Sequence, residues 1–159
     1  MTDNILLEFI RNNVKEDDVV LDIGCGIKTY QDVECKLMVS LDGWMPLYPD
    51  ILANLEEGVL PISNNSIDVI LIIDVIEHIE KINGLKIIDE SKRVTRRSII
   101  LFTPLWWEED PGRHREDLWS FANPYKYHKS LWSKEDFTDW NSVDIREKYY
   151  TGVWSKCQY

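Results

Sequence analysis

Residues 19–26 read VVLDIGCG, and the rest of the chain is organised around them. Val19, Val20 and Leu21 suit a strand buried in a parallel sheet, and Asp22 and Ile23 carry it into two glycines separated by one residue. Glycine at 24 and 26 lets the backbone take positive φ or approach a bound molecule closely. Asp22, at the strand end, offers a carboxylate to a cationic group such as an amine.

The neighbouring segments repeat a strand–crossover rhythm. Residues 27–36 are too few for a long crossover helix, and residues 37–41 read as a second strand ending at Asp42. An acid there, twenty positions after Asp22, is placed to accept hydrogen bonds from both hydroxyls of a ribose, and Gly43 follows it in a turn. Residues 51–55 predict a short third strand. The β-branched run 68–73 has the composition of a central strand buried on both faces, and Asp74 ends it. From 75 to 94 apolar residues recur at helical spacing, with Gly84 predicting a broken helix, and residues 98–102 form another buried strand closed by Thr103 and Pro104.

At the N-terminal end, Ile5, Leu6, Phe9 and Ile10 predict a short amphipathic helix stopping near Asn12. At the other end, Ser133 caps a short helix through Trp140, residues 143–150 alternate like a strand, and residues 152–159 add a last strand antiparallel to it. The fold class expected is α/β: a Rossmann-like, doubly wound, mostly parallel sheet with abbreviated crossover helices and an antiparallel C-terminal strand pair. One domain covers residues 1–159, divided into a lead-in helix and turn (1–18), a ligand-binding core (19–104), an aromatic-rich lid or acceptor loop (105–132) and a C-terminal helix with strands (133–159). That loop holds Trp106, Trp107, Trp119, Phe121, Tyr125, Tyr127 and Trp132, which either close over an acceptor or cover a sheet face.

A chain of 159 residues that is 44% apolar has enough material for one core. Its formal charge of −10 argues against a protein that tracks phosphate backbones, and the basic cluster Lys92, Arg93, Arg96 and Arg97 reads as cations complementing a helix C-terminus. Cys25, Cys35 and Cys157 match neither a zinc site nor a disulfide framework, so no metal is expected and a reducing cytoplasm is the expected compartment. No apolar run reaches membrane-spanning length, and the first residues lack a signal peptide's basic start.

Taken together, LDIGCG at 21–26, LPISNNSIDVILIIDVIEHI at 60–79 and a strand ending in TP at 103–104 resemble the class I S-adenosylmethionine-dependent methyltransferases of the compact branch. The resemblance implies that Asp22, Gly24, Cys25 and Gly26 hold the methionine part of S-adenosylmethionine, that Asp42 binds its ribose, and that Asn54 and Leu55 meet the adenine. Ile73, Asp74 and His78 would line the methionine and methyl side. Relatives often carry Asp where this chain has Asn54, and many carry a third glycine where it has Lys28, which would pair with the cofactor carboxylate. Thr29, standing where a nicotinamide fingerprint needs glycine, disfavours a dehydrogenase.

Methyl transfer from a sulfonium needs positioning, with a base only when the acceptor must lose a proton. His78, His114 and His128 are the candidates for that base, with Tyr127 and Asp74 behind them; none is singled out. The acceptor expected is a small molecule or sugar. The rival reading is a catalytically silent cofactor-binding or structural subunit that pairs with itself or another protein through a sheet face left bare by the short crossovers.

Overall fold

The computed structural model describes residues 4–107 and 122–157. Its strands are β1 (Val19–Ile23), β2 (Leu37–Asp42), β3 (Ile51–Leu52), β4 (Ile67–Ile73), β5 (Thr95–Pro104), β6 (Asn141–Ser142) and β7 (Tyr149–Ser155). They form one sheet in the order β3-β2-β1-β4-β5-β7-β6. The first five strands are mutually parallel, while β7 runs antiparallel to both β5 and β6. The order reverses direction between β1 and β4, and a crevice opens beyond the carboxyl ends of strands at such a switch point.

Alternate residues along each strand divide the core into two layers. Leu21, Ile23, Ile70, Ile72, Ile99 and Leu101 pack beneath helix α2 (Lys81–Val94) together with Trp132 and Phe137. Val20, Val69, Leu71, Ile100 and Phe102 face helix α1 (Asn4–Asn13), whose Leu6 and Ile10 cover them together with Val33 from the β1–β2 connection. The expected bare sheet face is therefore absent among the described residues. The short connections cover it without helices of their own, because Tyr30, Val33 and Cys35 fold back onto the sheet beside α1.

Three other expectations need correction. The helix expected from 75 breaks before Gly84: a 3-10 turn (Ile76–His78) is followed by Ile79 and Glu80 in extended backbone, and only then by α2. Gly84 sits inside α2 because Trp132 presses there. The third strand stops at Leu52, since the Asn54 side chain accepts the Glu56 amide at 3.1 Å and starts a 3-10 turn (Leu55–Glu57) instead. Ser133 does cap a helix, reciprocally with Asp136, but it is one 3-10 turn (Lys134–Phe137).

Of the strand expected over 143–150, only Tyr149 and Tyr150 are extended, as the start of β7. Lys148 takes a left-handed conformation (φ 64°), and the Arg146 guanidinium lies 4.5 Å from the centre of the Tyr149 ring, which breaks the extended run before β7 begins. The basic cluster is spent on ion pairs: Lys92 with Asp139 at 2.8 Å, Arg93 with Glu90 at 2.6 Å, Arg96 with Asp68 at 3.1 Å, and Arg97 with Asp18. Among the described residues no helix is long and apolar enough to cross a membrane.

Candidate functional site

A cavity of about 270 Å³ opens at the carboxyl ends of β1, β2 and β4. Its wall includes Gly24, Gly26, Asp42, Gly43, Asn54 and Leu55 on one side and Asp74, Val75 and His78 on the other. The turn after β1 is pinned to β2 by two bonds into one carbonyl, since the amides of Gly24 and Cys25 both donate to Leu41 O, at 2.7 and 3.1 Å. Gly24 and Gly26 take φ of 66° and 52°, the left-handed region that glycine enters without strain.

Asp42 completes this cradle. Its Oδ2 accepts the Gly26 amide at 3.1 Å and its Oδ1 accepts the Trp44 amide at 2.9 Å, which fixes the carboxylate and leaves each oxygen a further lone pair for a ligand hydroxyl. Asn54 holds its carboxamide oxygen on the Glu56 amide, so an adenine amino group would share that oxygen with the turn. Tyr125 presents its ring to Gly43, where a Cβ would lie 3.2 Å from the ring edge.

Asp22 is 2% exposed, and its Oδ2 has no hydrogen-bond partner. Burial, reinforced by the nearby Asp42 charge, pushes its carboxyl up to about 7. An unpaired buried carboxylate is costly, and a ligand ammonium group would relieve it.

The opposite side of the cavity is built around the 3-10 turn after β4. Asp74 takes a left-handed conformation (φ 51°), uncommon for a non-glycine residue and a form of strain found at functional sites. The Asp74 side chain reaches solvent, yet the protein crowded around it raises its carboxyl to about 6, against the opposing pull of Arg146. Glu77 is buried and takes the Thr103 hydroxyl on Oε2 at 2.9 Å. Its carboxyl is held well above the ordinary range by burial first and by Asp74 second. Burial, then the neighbouring His128, lowers the His78 imidazole to about 4.

The segment 122–132 is strapped onto this turn. Glu77 O accepts the amides of Lys129 at 2.7 Å and Ser130 at 3.1 Å, and the Ser130 hydroxyl donates to Ile76 O at 2.9 Å. The strap brings His128 against His78, ring centres 4.9 Å apart and nearly perpendicular. Glu77, His78 and His128 thereby offer three ligand atoms, all within 4.8 Å of one another, where no metal-binding motif is legible in the sequence.

The expected site residues thus divide. Gly24, Gly26, Asp42, Gly43, Asn54, Leu55, Asp74 and His78 share the cavity wall. Asp22, Cys25, Lys28 and Ile73 do not line it: Asp22 is buried behind the glycine turn, the Cys25 thiol is buried and pushed up to about 12 by burial and then by Asp22, and Ile73 belongs to the core layer under α1. Lys28 sits in a left-handed turn (φ 58°) with its amide on Cys25 O, and its charge acts on Cys25 and Asp50. His128 joins His78, Tyr127 flanks it in the strap, and His114 lies outside the described residues. Sequence reasoning missed Glu77, Asn123 and Lys126. Only the Asn123-Pro124 pair hinted at a turn there, and the Asn123 side chain indeed accepts the Tyr125 amide at 2.9 Å.

No family model matches the chain, and no curated protein matches it in sequence. Solved structures are similar to it. A protein described as a methyltransferase from an antibiotic biosynthesis pathway of Anabaena variabilis shares 21% identity at a TM-score of 0.52, over 64% of this chain and 46% of its own. The Haloferax volcanii complex between the Trm112 methyltransferase activator and a methyltransferase contains a chain 12% identical at 0.66, over 99% of this chain and 90% of its own. The small RNA methyltransferase HEN1 is 14% identical at 0.63, over 98% of this chain and 25% of its own. This chain therefore spans about half of the Anabaena protein, a quarter of HEN1 and nearly all of the Haloferax chain. Together with the strand order, these likenesses give it the Rossmann-like fold of the class I S-adenosylmethionine-dependent methyltransferases.

Proposed function

We propose that the chain binds S-adenosylmethionine and transfers its methyl group to a hydroxyl-bearing small molecule or sugar. The observation that carries this reading is Asp22 Oδ2, buried without a partner behind a glycine turn whose far side is fixed by Asp42. Asp22 and the amides of 24–26 would hold the charged amino-acid end, Asp42 the ribose, and Asn54 with Leu55 the adenine. Tyr125 would lie against the ligand from the strap.

When bound, this cofactor supplies an activated methyl group on a positively charged sulfur. The chain then has to hold the acceptor in line and keep water out, which the wall of buried Val75 and Ile79 with half-buried His78 is suited to do. His78 is a neutral imidazole at ordinary pH, lowered to about 4, so it offers a nitrogen lone pair to the site and is a weak base.

A second reading is favoured by the likeness to HEN1, whose acceptor is a small RNA, and by that to the activator-bound Haloferax chain. Against RNA stand the −10 charge and the pairing of the basic cluster with acids. A silent subunit is the remaining alternative.

The deciding experiment is calorimetric titration with S-adenosylhomocysteine, using an Asp42→Ala variant and NADH as controls. Micromolar binding that the variant loses supports the reading and opens a screen of sugars, small hydroxylated molecules and short RNAs. A folded wild type that does not bind overturns it.

A further inference from the structure

We propose that Glu77, His78 and His128 form a divalent-cation site whose open positions take the oxygen of the methyl acceptor. The role of the ion rests on the methyl-transfer reading above; its binding does not.

The site is assembled from two separate parts of the fold, the 3-10 turn after β4 and the strap. Glu77 Oε2 is held by Thr103 at the end of β5, which turns Oε1 toward His78 Nε2, 3.7 Å away. His78 follows on the same 3-10 turn, with its Nδ1 buried and without a hydrogen-bond partner. His128 arrives on the strap that Glu77 O, Ile76 O and the Ser130 hydroxyl hold in place. One carboxylate and two imidazoles make a donor set that suits first-row divalent ions and leaves coordination positions open.

Ligand atoms about 2.1 Å from a common ion lie at most about 4.2 Å apart. The three here lie within 4.8 Å, so the ion would draw them together by about half an ångström, within reach of small imidazole rotations. Asp74 stands beside the trio with its charge felt by Glu77, and it shares the cavity wall with His78. His78 is the member of the trio on that wall, so the site opens through it toward the space where methyl donor and acceptor would meet.

A cation there acts as a Lewis acid toward an alcohol, a poor nucleophile while it keeps its proton. The acceptor O–H releases its proton to solvent, its oxygen forms the new bond to the methyl carbon, and the carbon–sulfur bonding pair stays on sulfur. This selects hydroxyl acceptors, above all vicinal diols that can place two oxygens on one ion, over amines and thiols.

The test uses the whole chain, stripped with a chelator and titrated with Mn²⁺ by calorimetry and electron paramagnetic resonance. Mn²⁺ is preferred over Zn²⁺ because the unpaired thiols of Cys35 and Cys157 would compete for the softer ion. One ion per chain is expected, with affinity falling at least about 100-fold in His78→Ala and His128→Ala, more than an outer-shell change usually causes. His128→Gln, closer in size, serves if the alanine variant fails to fold. Absence of saturable Mn²⁺ binding to the folded wild type overturns the proposal, as does binding undiminished in the histidine variants. S-adenosylhomocysteine is titrated in parallel. Cofactor binding without Mn²⁺ binding removes the cation site and leaves the methyltransferase reading standing; the reverse result supports the site and removes that reading.

Discussion

Gly84 and Trp132 occupy one another's space: a Cβ added to the glycine would stand 2.8 Å from Trp132 Cζ2. Alanine inside a helix is ordinarily better than glycine by about 1 kcal/mol. Here the sign reverses, because the indole is 1% exposed and stacks on Phe137 with ring centres 5.5 Å apart, so it has nowhere to withdraw. Gly84→Ala is expected to destabilise the chain by about 1–3 kcal/mol in urea denaturation. A stabilised variant would mean that Trp132 is not seated against α2.

Asp22 should make the ligand-free chain lose stability as pH rises. Its carboxyl stands at about 7 when folded against 3.8 ordinarily, so between about pH 4 and 7 the folded chain keeps a proton that the unfolded chain has released. Stability from this group is present at the acid end and declines toward neutrality, by up to a few kcal/mol. Asp22→Asn, which cannot ionise, should flatten that decline and raise the melting temperature at pH 8 while weakening S-adenosylhomocysteine binding. An unchanged slope of melting temperature against pH would assign the decline to other groups.

Arg93 ties α2 to the loop before β4. Its guanidinium donates to Ile62 O at 2.9 Å and Leu60 O at 3.1 Å and pairs with Glu90, which also accepts the Leu60 amide at 3.0 Å. Arg93→Ala should cost about 1–2 kcal/mol and raise hydrogen exchange at the Leu60 amide. Arg93→Lys should recover less than half of that loss, since an ammonium cannot reproduce the fork. Full recovery with lysine would show that only charge matters there.

Tyr125 tests the strap's part in ligand binding. Tyr125→Ala removes the ring opposite Gly43 and is expected to weaken S-adenosylhomocysteine about tenfold, whereas Tyr125→Phe keeps the ring and should bind like the wild type. Equal affinity in all three proteins would place the ligand away from the strap.

The cradle was legible because its chemistry is local. Asp22, Gly24, Gly26 and Asp42 each sit at a strand end, where an apolar run stopping at an acid or a glycine announces both the strand and its functional edge. The same logic located β4 and β5. It failed where tertiary contacts outweighed local pattern: residues 143–148 continue the alternation yet form no strand before β7, and the helix break falls at Ile79 and Glu80, two apolar or charged residues with no breaker among them. The Glu77, His78 and His128 grouping was invisible because fifty residues separate its histidines, and hydrogen bonds from the strap to the Glu77 and Ile76 carbonyls bring them together. The covering of the second sheet face was equally hidden, since Tyr30 and Val33 lie in a loop without periodicity.

The absent side chain at Gly24 has a neighbour waiting in its place: Val75 Cγ2 would sit 2.5 Å from any Cβ there. The two loops that flank the cleft therefore mesh like adjoining gear teeth. A side chain at position 24 would push Val75, which stands between Asp74 and the Ile76–His78 turn. A bulkier residue on one wall of the cleft would thus be felt on the other, through a single methyl group.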